Sequence, residues 1–289
     1  MDRKAVAALV WVVGALTGMA VLGGQGLDSG RGGRGESVRQ SARTLAPIDL
    51  TGYWVSVVTE DWHWRMITPK KGDYASVPIS SEGRRVADAW DPARDERDGF
   101  ACKAYGAAAI MRVPGRLHIT WQNDDVLRID TDAGTQMRLL RFGDLMPPAA
   151  DQGWQGFSRA VWEFAGSTGA GTAVTLNPAP STGPRTGTSL EGGFRAKATV
   201  GPGQRYGSLR VLTTNMRAGY LRKNGVPYSN SAVMTEYFDR HSERNGDEWF
   251  TVTTTVEDPR YLSTPFITST GFKKEPDGSK WRPTPCIAQ

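Results

Sequence analysis

The chain has 289 residues, of which 39% are hydrophobic and 22% charged, and a formal net charge of +5. The positive excess is mild and spread along the chain, and no basic helix, finger or aromatic-basic RNA motif accompanies it, so nucleic-acid binding is excluded. Two cysteines and three histidines are present, none at zinc-ligand spacing, and no P-loop, dinucleotide fingerprint, EF-hand or Gly-x-Ser-x-Gly elbow occurs, so neither a metal nor a cofactor is expected.

Arg3 and Lys4 precede an apolar run from Ala5 to Gly24. A positive n-region ahead of an apolar stretch is the layout of a cleaved secretory signal. The run is long for a signal and approaches the roughly 20 residues that span a bilayer. Residues 1–25 therefore read as a signal peptide or as an uncleaved N-terminal anchor. Both readings predict an exported protein, periplasmic or secreted, with membrane proximity through this segment. No later stretch is apolar enough to span a membrane. Residues 26–47 are rich in Gly, Ser and Arg and cannot bury enough surface to offset ordering entropy, so they read as a flexible linker.

Gly52 to Val58 is aromatic and β-branched and reads as a strand. Residues 60–66 alternate, with Trp62, Trp64 and Met66 on one face and Asp61, His63 and Arg65 on the other, and read as another strand. Residues 81–90 form the best helix candidate, capped by Ser80 or Ser81 and interrupted at Asp91-Pro92. Pro92 opens a second short helix through Arg97. A β-meander follows: Leu117 to Trp121, Val126 to Thr131 and Thr135 to Phe142, joined by polar turns. Trp154 to Glu163 is a further strand. Residues near 165–190, rich in Gly, Thr, Ser and Pro, read as a flexible loop. Strands return at 208–214, 232–240, 249–256 and 266–272, with Asn245-Gly246-Asp247 as a hairpin signal between the middle two. Strands at this spacing with little helix predict one mainly β domain over 48–289, an antiparallel barrel or sandwich with one or two short helices.

Two cysteines in an exported chain have one intramolecular pairing open to them, so Cys102 and Cys286 are expected to form a disulfide; the alternative is two unrelated thiols.

Gly52-Tyr53-Trp54 on the first strand resembles the glycine-x-tryptophan signature of the lipocalin and calycin barrels. The resemblance implies a calycin-like (lipocalin-like) antiparallel barrel closed at one end by the tryptophan. Barrels of about eight strands can hold one small ligand. The chain departs from that pattern in its length, its early helix and the loop near 165–190. The segments Lys71-Gly72-Asp73-Tyr74-Ala75-Ser76-Val77-Pro78, Ala107-Ala108-Ala109-Ile110-Met111-Arg112-Val113-Pro114 and Thr235-Glu236-Tyr237-Phe238 resemble an uncharacterised family of exported bacterial β-rich proteins. That resemblance implies a secreted β domain and transfers no activity.

His63 with Asp61 is a candidate acid–base pair, because a carboxylate on the same face could orient the imidazole. Glu236 is a candidate inward carboxylate. Each is weighed against a bland alternative, a polar solvent face or a salt-bridge residue. Trp62, Trp64 and Trp121 are candidate ligand-binding residues, since aromatic walls supply contact area with little entropy cost; the alternative is a core of large side chains. The function expected is the binding of a small, largely apolar or aromatic molecule in the barrel cavity. A lyase, hydratase or isomerase in the same fold, or an envelope-associated interaction protein, are the alternatives.

Overall fold

Period-two alternation of apolar side chains builds a closed ring of strands. The structure is a computed structural model, and it describes residues 40–147, 153–164 and 206–288. Strands β1 (Gly52–Val57), β2 (Arg116–Asn123), β3 (Val126–Thr131), β4 (Met137–Phe142), β5 (Phe157–Phe164) and β6 (Gly207–Thr214) follow one another round the barrel. A separate two-stranded ribbon, β7 (Gly219–Tyr220) and β8 (Pro227–Tyr228), interrupts the order. Strands β9 (Val233–Ser242), β10 (Glu248–Glu257) and β11 (Phe266–Glu275) complete the ring, and β11 pairs back onto β1. The segment read as a signal or anchor, residues 26–39 of the linker and the loop near 165–190 lie outside the described residues. No described helix is long and apolar enough to cross a membrane.

The antiparallel expectation needs one correction. Strands β4 and β5 run parallel, with Leu140 opposite Ser158 and Phe142 opposite Ala160. The reason is parity. The ring has nine strands, and directions cannot alternate at every seam of an odd ring, so one seam must be parallel. A parallel pair needs a connection of about a dozen residues or more, and the sequence between Phe142 and Phe157 is long enough to supply it.

Inward side chains sort into layers. Trp54, Phe238, Phe250 and Phe272, each at most 1% exposed, fill the apolar half together with Ile119, Leu127, Leu140 and Leu209. Trp54 meets Phe250 edge-on at 4.7 Å, and Phe250 stacks on Phe272 at 4.8 Å. The far end is closed by charge: Glu248 takes Arg240 on one oxygen and Lys274 on the other, the latter at 2.6 Å, while Lys274 lies 5.5 Å over the Trp54 ring. Towards the opposite end lies a polar layer of Arg138, Ser158, Thr213, Glu236 and Thr254, all buried.

Helix α1 (Ala42–Leu45) lies inside the stretch read as linker, which corrects that boundary. Ser41 caps it, and Ala42 is tied at both backbone groups: its N–H donates to Asp125 Oδ1 at 2.8 Å and its carbonyl accepts from Trp162 Nε1 at 2.8 Å. These docking bonds hold a segment whose composition alone would not order it.

The connections over 58–115, 215–232 and 258–265 leave from the polar end of the barrel and form a cap. It carries α2 (Trp62–Arg65), α3 (Ser81–Asp88), α4 (Pro92–Arg97), a 3₁₀ turn (Ala101–Tyr105) and α5 (Ala107–Ile110), so the described residues hold more short helices than the expected one or two. Ser80 caps α3 and Asp91 caps α4, with Pro92 at its first position, as the sequence signals require. The cap has its own core, with Tyr74, Leu221, Tyr228, Met234 and Phe266 among its buried members.

Beyond β11 the chain returns along the outer wall. Tyr53 and His118 stack face to face at 4.1 Å, and Trp281 meets their edges at 6.1 and 6.3 Å. Thr284 N–H donates to the Asp132 carbonyl at 2.8 Å. Cys286 is then bonded to Cys102 in the 3₁₀ turn, with Cα atoms 5.1 Å apart. The expected disulfide is present, and it clamps the tail to the cap.

Candidate functional site

Residues 60–66 do not form a strand. Asp61 takes a left-handed conformation with φ of 51°, and Trp62–Arg65 makes one helical turn at the cap. The turn breaks up the two expected faces. Trp62 is 57% exposed, His63 is exposed, and Arg65 is buried. Trp64 is half-buried and donates from Nε1 to Asp73 Oδ2 at 3.1 Å. Asp61 accepts from Arg112 Nη2 at 2.8 Å. Glu236 is sealed inside the barrel against Arg138, so it does not join His63. Trp121 is half-buried and packs against the barrel core, beside Phe142 and Trp162 at 5.7 and 6.5 Å. The six candidates thus sit in different environments, and no acid–base trio is assembled from them.

The cap instead holds a groove of about 420 Å³. Helix α3 supplies Arg85 and Val86, and Ala89 and Trp90 follow at its end. Arg94 comes from α4, Lys103 from the 3₁₀ turn, Tyr220 from β7, and Tyr261 from the connection to β11; Tyr228 of β8 backs the wall. Close packing shapes this wall. Gly225 has φ of +82°, and a Cβ there would lie 2.4 Å from the Trp90 Cβ. Only a glycine lets the backbone pass beneath the indole.

One charge network stiffens the groove. Asp95 is 2% exposed, and it accepts from Lys103 Nζ at 2.6 Å and from the Tyr220 hydroxyl at 2.7 Å. Burial first, and then the bond to Asp95, push the Tyr220 phenol well above its ordinary range, so it stays protonated and donates. The Tyr228 phenol is raised by burial alone, and its hydroxyl has no protein partner; the Trp90 indole N–H has none either. The groove therefore offers aromatic surface and the exposed cations Arg85 and Arg94. Lys103 and Tyr220 are both committed to Asp95.

Among these residues Arg85, Val86, Ala89, Trp90 and Arg94, on the two predicted helices, carried a sequence signal for their element but none for the groove. Tyr220 and Tyr228 lie in two-residue strands and Tyr261 in a connection, all too short to show periodicity. No protein-family model, no curated protein and no solved structure matches the chain.

Proposed function

We propose that the protein is an exported binder of a small, largely apolar or aromatic molecule, held in the cap groove rather than inside the barrel. The observation that carries this reading is the groove itself. Its volume of about 420 Å³ falls within the roughly 300–1,000 Å³ of small-molecule sites, while large aromatic side chains occupy the apolar half of the barrel. Arg85 and Arg94 on its rim favour a ligand with an acidic substituent. The disulfide is compatible with export, and residues 1–25 serve as signal or anchor. The calycin-like reading draws support from strands that neighbour one another in chain order and from Trp54 beside the charged far end, with the cap as the departure. An acid–base enzyme in this fold is less supported, because Tyr220 and Lys103 are both committed to Asp95.

Titration with 1-anilinonaphthalene-8-sulfonate, an aromatic acid, tests the reading. One saturable site is expected. Ala218→Trp, at an exposed lining position, should fill the groove and abolish it. Saturable binding that survives Ala218→Trp, or no binding by the native protein, defeats the proposal. A second reading, an interaction protein, draws on Trp62, Met66 and Ile67, which are 57%, 59% and 67% exposed on one short segment. A Trp62→Ser change that abolishes a self-association seen by sedimentation would favour it.

A further inference from the structure

Arginine side chains are seldom buried without partners for their five N–H donors. Three such side chains converge in the cap. Arg65, Arg112 and Arg222 are 8%, 7% and 4% exposed, and they line one small cavity of about 30 Å³ with Lys223 beside them. Each is anchored by part of its guanidinium. Arg65 donates from Nε to the Arg112 carbonyl at 3.0 Å and from Nη1 to Glu60. Arg112 donates from Nη2 to Asp61 at 2.8 Å. Arg222 donates from Nη1 to the Ala75 carbonyl at 2.7 Å, and its plane lies 4.9 Å over the Trp64 ring. Four buried nitrogens remain without a protein partner: Arg65 Nη2, Arg112 Nη1, and Arg222 Nε and Nη2.

We propose that this cavity binds a small oxyanion of the carboxylate or phosphate class. Every unpartnered atom is a donor, so the complementary ligand is all acceptor, and guanidinium groups match the paired oxygens of such anions. The volume exceeds the 10–15 Å³ or so that one water needs, which leaves room for a group with two or more oxygens. Charge points the same way. Burial first, and then the neighbouring Arg112, bring the Arg222 guanidinium down to about 10, and burial lowers Arg65. The carboxylates that face the cluster are Glu60, Asp61 and Asp73. Glu60 and Asp61 are 33% and 28% exposed, and Asp73 holds Trp64. They compensate the cluster from its margin and leave the inward donors open. Water could meet those donors but not relieve the repulsion between Arg112 and Arg222.

The probe is inorganic phosphate added to the full-length protein at constant ionic strength, read by thermal unfolding and by calorimetric titration. A saturable rise in Tm is expected, roughly 5–10 °C at a hundredfold excess over Kd. Arg222→Leu should remove it, Lys223→Gln should weaken binding several-fold, and Ala218→Trp should leave it intact, which separates this site from the groove. No response to phosphate, sulfate or acetate beyond that to chloride overturns the proposal. So does a rise linear in concentration and equal in all variants, the signature of salt exclusion from the surface. Should Arg222→Leu fail to fold, undiminished affinity in Lys223→Gln overturns it as well.

Discussion

Arg138 on β4 and Glu236 on β9 meet inside the barrel as a two-pronged ion pair, Nη2 to Oε2 at 2.6 Å and Nη1 to Oε1 at 3.1 Å. Both are buried, at 3% and 0% exposure. Ser158 and Thr213 supply oxygens to the same Nη2 at 3.3 and 3.1 Å. The pair lies between two apolar clusters, since Met234 on one side of Glu236 belongs to the cap core and Phe238 on the other to the barrel core. Removing one partner strands a buried charge. Glu236→Ala should cost about 3–5 kcal/mol, whereas Arg138→Met with Glu236→Leu should come close to the native stability or exceed it. Urea unfolding of the two variants and the native protein measures the contrast. A single variant as stable as the native protein would show that the pair is not sealed from water.

The bond between Cys102 and Cys286 should stabilise the fold by about 2–5 kcal/mol, because it closes a long loop in the unfolded chain. It also holds the tail that brings Trp281 to Tyr53 and His118. Cys286→Ser should therefore lower the Tm and shift the Trp281 emission towards that of a solvated indole. Native protein treated with reductant should reproduce both changes. An unchanged Tm after reduction, with the two thiols shown to be alkylatable, would mean that the tail is held by its other contacts alone.

How much of this was legible in the sequence follows from how local each signal is. The meander from β2 to β4 and the strands β9 to β11 were readable because alternation and turn residues are short-range. The parallel seam between β4 and β5 was not, because it follows from the number of strands in the ring, which no single segment carries. Residues 60–66 were misread for a different reason. Seven alternating residues fit a strand, but the buried Arg65 leans on the Arg112 carbonyl and the left-handed Asp61 on the Arg112 guanidinium, both far along the chain. The arginine cluster was invisible on the same ground: Arg65, Arg112 and Arg222 have no mutual spacing, and only the packing of the cap joins them.

Acid should loosen the far end of the barrel. The bond from Lys274, with the charges of Arg240 and Lys274, holds the Glu248 carboxyl below its ordinary value of 4.5 against the opposing effect of burial. A carboxyl lowered in the folded state adds stability that is fully present above the unfolded value and is lost as pH falls through the folded one. The stability difference between native protein and Glu248→Gln should thus be constant from about pH 6 upward and shrink below about pH 4.5. Urea midpoints at a series of pH values read this directly. A difference that persists undiminished near pH 3 would place the contribution of Glu248 in packing and not in its charge.

The groove makes its own demand on the backbone. Gly225 sits at φ of +82°, between β7 and β8, and a Cβ there would lie 2.3 Å from Trp90 Cγ and 2.4 Å from Trp90 Cβ. Gly225→Ala meets two penalties at once: a left-handed conformation that costs an L-residue roughly 1–2 kcal/mol and a clash that one side chain must move to relieve. The neighbour that can yield is Trp90, because the other side of the contact is main chain. Gly225→Ala should therefore lower stability by about 1–3 kcal/mol and displace the indole, so that anilinonaphthalene sulfonate binds more weakly while phosphate affinity is kept. Tryptophan emission and the two titrations, run on the same preparation, separate these effects. Equal losses of both ligands would mean that the ribbon of β7 and β8 moves as a unit, carrying Arg222 with Tyr220, and that groove and anion cavity share one mechanical support.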